Sequence, residues 1–82
     1  MMSRDEVYRR LARYLVDMFE VPEEKIRLDA RLYEELDLDS IDAVDLIVKL
    51  QDLTGRKISP QDFKTVRTVG DVVEKVHALL HA

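Results

Sequence analysis

The sequence predicts an all-α fold, a small four-helix bundle with three longer helices, one short helix and a long first loop. Three observations predict it. Apolar residues recur at helical spacing in three separate stretches, capping signatures precede four segments, and no two alternating runs read as strands that could pair. The composition agrees, because 46% apolar and 37% charged residues with only two glycines and two prolines suit an ordered helical chain rather than a disordered one. Eighty-two residues argue a single domain, 1–82, near the size where one core is only marginally stabilising.

The first helix is expected from Arg4 to about Phe19. Ser3 to Glu6 reads as a capping box, after which Val7, Leu11, Tyr14, Leu15 and Met18 recur on one side. Arg4, Arg9, Arg10 and Arg13 lie on the outer side and read as a solvated face, with a basic patch for an acidic partner as the other reading. Pro22 ends the pattern. Residues 20–38 then form a long connection anchored by Ile26, Leu28, Leu32, Leu36 and Leu38, with a turn of helix around Leu32–Glu35; a loop of this length in a small domain usually has a function. A second helix runs from Ser40 to Leu53 and closes at Gly55, which can take the left-handed conformation. Ser59-Pro60-Gln61-Asp62 starts a short helix over about Pro60–Lys64, and Thr68 to Asp71 starts the last one. Val69, Val72, Val73, Val76, Leu79 and Leu80 give that helix one apolar stripe.

The second helix has one apolar face too many. Advancing 100° per residue places Ala43, Leu46, Ile47, Leu50 and Leu53 in one arc, wide enough to face a core. Ile41, Val44 and Val48 fall on roughly the opposite side, with Asp45 and Asp52 beside them and Asp42 on the flank. Branched apolar residues among carboxylates suit water and a basic partner. Asp39 or Ser40 can cap this helix, and Asp42 in its first turn is favoured by the helix dipole. Ser40 therefore stands where side chains project outward and unpaired N–H groups can receive an anion.

Charge reinforces this reading. Net charge is −4, yet residues 29–54 hold eight carboxylates against Arg31 and Lys49, while the remainder is slightly basic. Nucleic acid is a poor partner for such a surface, because phosphate binding rests on clustered Lys and Arg. The absence of cysteine excludes disulfide and thiol chemistry from the polypeptide and fits a reducing compartment. No apolar run approaches a membrane span and the N-terminus does not resemble a signal peptide, so no membrane span and a cytoplasmic location are expected.

Catalytic and metal readings of these residues are weak. A serine nucleophile needs a base in reach, whereas His77 and His81 lie near the C-terminus and no G-x-S-x-G elbow surrounds Ser40. Counting an EF-hand from Asp37 puts Ile41, Asp42 and Val48 where a ligand, a glycine and a glutamate are required. His77 and His81 are four apart but lack an evident third ligand, and read as exposed histidines near a helix C-terminus. No catalytic and no metal site is expected.

The run LDLDSIDAVDL resembles the phosphopantetheine attachment site of acyl carrier proteins, a D-S-L motif opening an acidic second helix, and the resemblance extends over nearly the whole chain. It departs from the family at Asp37, where a glycine is common, and at Ile41, where leucine is usual. The resemblance implies a freestanding, monomeric, non-catalytic carrier in which Ser40, preceded by Asp39, bears 4′-phosphopantetheine transferred from coenzyme A by a phosphopantetheinyl transferase. The cofactor would supply the thiol that the chain lacks, and hold acyl groups as thioesters. Ile41, Asp42, Val44, Asp45, Val48 and Asp52 would meet basic docking patches on that transferase, on a ketosynthase and on other acyl-processing enzymes. Asp39 looks like acyl rather than peptidyl carriers. Fatty-acid synthesis and a secondary route of polyketide or aryl-polyene type are both open, with Asp37, Ile41 and the arginines of the first helix favouring the secondary one. The competing function, from the residues alone, is an unmodified helical adaptor that uses Ile41, Val44 and Val48 as an ordinary binding face.

Overall fold

A computed structural model describes residues 2–81. Its three α-helices are α1 (Arg4–Phe19), α2 (Ser40–Thr54) and α3 (Val69–Leu80), and short 3₁₀ turns lie at Glu23–Lys25 and Pro60–Phe63. The fold is all-α, as the periodicity implies. The short fourth helix is a single 3₁₀ turn, and the turn at Glu23–Lys25 was not foreseen, although Pro22 at its N-cap supplies a fixed φ for it.

Each α-helix starts where its capping residue allows. The Ser3 hydroxyl accepts from the Glu6 N–H at 3.2 Å, but Glu6 points to Arg10 rather than closing the box. Thr68 and Asp71 cap α3 reciprocally, the Thr68 hydroxyl accepting from Asp71 N–H at 3.1 Å while the Asp71 carboxylate accepts from Thr68 and Arg67 N–H. Those two backbone donors hold the Asp71 carboxyl below the usual carboxylate range. At the other ends, Glu20 closes α1 and Gly55 closes α2 in the left-handed region.

The core is one cluster. Val7, Leu11 and Leu15 of α1 meet Val69, Val72, Val73 and Val76 of α3, Leu46, Ile47 and Leu50 come from α2, and Ile26, Leu32, Leu36 and Leu38 from the long loop. No polar side chain is buried among the described residues. Two of the expected core positions are corrected: Met18 lies exposed on the rim, and Leu28 is 57% exposed. Their places are taken by Val21 and Ala30.

Leu28 is displaced by the way the loop is fastened. The first N–H groups of a helix lack intrahelical acceptors. In α3 those of Val69 and Gly70 donate to the carbonyls of Ala30 and Leu28 at 3.0 and 2.8 Å, and Leu32 N–H donates to Arg67 C=O at 3.0 Å, around a single antiparallel bridge between Arg31 and Thr68. This strap sets Ala30 inward and Leu28 outward. A Cβ at Gly70 would stand 2.9 Å from the Leu28 carbonyl oxygen, so the strap needs glycine there. The helical turn expected around Leu32–Glu35 is present, with Glu35 and Leu36 N–H both bonded to Arg31 C=O. Beyond it the loop buries Leu38 and delivers the chain to α2.

Candidate functional site

Asp39, not Ser40, is the N-cap of α2. Its carboxylate accepts from Asp42 N–H at 2.9 Å, and the Asp42 carboxylate accepts from Asp39 N–H at 3.2 Å. Ser40 is the first residue of the helix and is exposed, so its hydroxyl is not committed to the cap. Asp42 and Ala43 N–H are taken by Asp39, and an anionic group bonded to the Ser40 oxygen would sit at the positive end of α2. The residues present therefore fit a phosphodiester at this hydroxyl.

Asp37 shows why its departure from glycine is tolerated. Its φ is +58°, in the left-handed region where glycine is the default and aspartate among the less strained alternatives. This reversal turns the chain between Leu36 and Leu38, both buried, and aims the next residues at the corner of the molecule. A missing glycine in the motif was thus a conformational signal, not a lost one.

The two faces of α2 separate as their periodicity requires. Leu46, Ile47 and Leu50 are buried, with Ala43 and Leu53 half-buried at the edges, whereas Ile41, Val44 and Val48 are 73%, 49% and 52% exposed. Asp45 and Asp52 are exposed beside them, and Asp42, half-buried, stands at the end nearer Ser40. None of these three carboxylates has an ion pair among the described residues. Lys49, the one base of α2, instead lies over the Tyr14 ring, 5.6 Å from its centre. The face keeps its negative charge as a result.

A small apolar recess opens one turn into the helix. It has a volume of about 20 Å³ between Leu38, Ala43 and Leu46 on one side and Phe63 and Val66 on the other. Sequence reasoning missed it, because Phe63 and Val66 arrive from beyond the second turn and no local pattern marks them. His77 and His81 are brought together, rings 4.1 Å apart, with His81 Nε2 3.3 Å from the Met2 carbonyl oxygen. They pair with each other and the chain's N-terminal end, not with Ser40. Desolvation, followed by the charge of Arg4 and the neighbouring His81, lowers the His77 pKa from its ordinary value.

Comparison with known proteins adds an independent line. Residues 9–76 match the family described as "Phosphopantetheine attachment site". The chain is 49% identical over 81 residues to "Acyl carrier protein 2" of Ralstonia nicotianae, covering 99% of this chain and 100% of that protein. It is 33% identical over 75 residues to an acyl carrier protein of Lactobacillus johnsonii, covering 92% and 94% of the two chains. The solved acyl carrier protein from Enterococcus faecalis superposes with a TM-score of 0.76 at 26% identity, over 94% of this chain and 98% of that one. Members of this family carry a covalent 4′-phosphopantetheine and are carriers, not catalysts. A match of this extent in sequence and in fold shows that the chain belongs to the acyl carrier protein family.

Proposed function

We propose that Ser40 is the residue that bears the phosphopantetheine and that the exposed face of α2 is what partner enzymes read. One observation carries the first half: Ser40 is exposed at the head of α2, with Asp39 doing the capping, so its hydroxyl is available without unmaking the helix start. The bound cofactor supplies the terminal thiol that holds acyl groups as thioesters. The polypeptide supplies position and charge. Helix N–H groups favour the phosphodiester, and Ile41, Val44 and Val48 give a docking partner apolar area. Asp42, Asp45 and Asp52 attract basic patches on a phosphopantetheinyl transferase, a ketosynthase and further acyl-processing enzymes.

On this reading residues 1–82 act as one carrier domain, monomeric when dilute and cytoplasmic; no described helix is long and apolar enough to cross a membrane. Of the two pathway classes, Asp37, Ile41 and the arginines of α1 favour polyketide or aryl-polyene assembly over primary fatty-acid synthesis. The recess beside Ala43, about 20 Å³, is too small to hold an acyl chain.

Intact mass after exposure to coenzyme A and a transferase tests the assignment. The expected outcome is one added phosphopantetheine, lost in Ser40→Ala, with the helical circular dichroism of that variant unchanged. Attachment that persists in Ser40→Ala and maps to Ser3 or Ser59 overturns it. An unmodified parent protein would leave the helical adaptor, in which Ile41, Val44 and Val48 bind without an arm.

A further inference from the structure

The outer side of α1 carries a groove that the carrier reading leaves unused. It is open, about 690 Å³, and runs between α1 and the turn after Pro22. Tyr8, Ala12 and Val16, spaced four apart, form its floor with Ile26, and the Tyr8 hydroxyl fixes that wall by donating to the Ile26 carbonyl at 3.1 Å. Arg9, Arg10 and Arg13 stand along the α1 edge. Arg10 and Arg13 reach Glu6 and Asp17 only at 4.0 and 3.6 Å. Exposed pairs of that kind contribute little and exchange readily. Arg9 has no ion pair among the described residues. Glu6 and Glu23 border the groove as well, which confines the positive potential to the Arg9–Arg13 edge.

The occupant that fits is a helix with an apolar ridge flanked by carboxylates, and the molecule itself displays one. On α2, Ile41, Val44 and Val48 form an exposed ridge at helical spacing, with Asp42, Asp45 and Asp52 alongside. We propose that α2 of one copy lies along the α1 groove of a second copy, the ridge over Ala12 and Val16 and the aspartates against Arg9 and Arg13. The helices are 16 and 15 residues long, roughly 24 and 22 Å, so ridge and groove can run side by side. The two surfaces differ, which makes the contact head to tail and adds copies unless a ring closes. Net charge of −4 on each copy opposes the approach and keeps the contact weak. Salt near 0.1 M screens that long-range repulsion beyond about 10 Å and leaves the contact pairs in place. While the contact lasts, the α2 face is withdrawn from partner enzymes.

Sedimentation velocity of the unmodified full chain, from dilute to concentrated, tests this at about 0.1 M and about 1 M salt. The expected result is a sedimentation coefficient that rises with concentration at the lower salt and no longer does so at the higher. Arg9→Glu/Arg13→Glu and Asp45→Lys/Asp52→Lys should each weaken self-association at least about tenfold. Mixed in equal amounts they should associate again, because the intact aspartates of the first meet the intact arginines of the second. Circular dichroism checks that both variants fold. A parent protein that stays monomeric throughout, or association that survives in both variants, overturns the proposal. Neither readout requires an arm on Ser40, so failure here is distinct from failure of the carrier assignment.

Discussion

α2 and α3 are built from similar apolar content and put it to different use. In α3 every residue of the valine stripe is buried: Val69, Val72, Val73 and Val76 all pack against α1 and the loop. α2 buries Leu46, Ile47 and Leu50 and leaves Ile41, Val44 and Val48 in water. The same hydrophobic cost that folds α3 is left standing on one side of α2, and it stands among carboxylates that form no ion pair among the described residues. A helix whose valines all go into the core, with Leu79 and Leu80 half-buried at its end, is explained by the fold. One with residues to spare is what the proposed docking of partner enzymes would explain.

The sharpest way to break this comparison is to truncate one residue from each face of α2. Leu50→Ala should cost about 2–5 kcal/mol, as a fully buried leucine does. Val48→Ala should change the melting temperature little and slow arm transfer instead. Equal thermal losses in the two variants would mean that the faces are not separate. The next effect concerns α3. Gly70→Ala gains helix propensity, but its Cβ meets a backbone oxygen at 2.9 Å that has no free rotamer to retreat into. Losing the Gly70–Leu28 bond and shifting the strap should leave a net loss of about 1 kcal/mol in denaturant melts. An unchanged midpoint would show that the strap yields.

Smaller still is the effect of the charges on α2. Asp45→Lys/Asp52→Lys should raise the melting temperature of the free domain slightly, since each relieved repulsion contributes only about 0.2–0.5 kcal/mol. Added salt should do the same to the parent. The same variant should accept the arm more slowly at low salt, and an unchanged initial rate would reduce the acidic helix to a solvated surface. The smallest effect is pH dependence from α3. His77 has a folded pKa below its ordinary value, so the unfolded chain takes up the proton first, and that stability is present above about 6.5 and lost as pH falls. Asp71, held low by the Arg67 and Thr68 N–H groups, adds a second loss below the ordinary carboxylate range. His77→Gln should remove the upper step in a melting series from pH 8 to 5 and leave the lower one.

What could be read from the chain was what neighbouring residues decide among themselves. The bounds of α1, the capping of α2 by its D-S-I-D run and the outward set of Ile41, Val44 and Val48 follow from spacing alone. Leu28 could not be placed, because its orientation is set by a carbonyl committed to Gly70, far along the chain. The recess beside Ala43 was hidden for the same reason, since Phe63 and Val66 reach it through tertiary contact. Asp37 lay between these cases. The sequence marked it only as a departure from a common glycine, and the φ of +58° shows that the backbone is reversed there without one.

The strap also sets the order in which this molecule can become itself. Residues 28–32 pair with residues 67–70 across roughly forty residues of chain, a closure that costs about 3 kcal/mol of chain entropy before any contact repays it. α1 and α2 can begin as local helices, but the loop that aims Ser40 is held only once α3 has docked. A growing polypeptide therefore presents the serine long before it presents the stage. With Ser40 as the proposed attachment residue, enzymes that require the assembled corner are expected to arm finished chains and pass over unfinished ones, and the attachment step then becomes a reading of whether folding is complete.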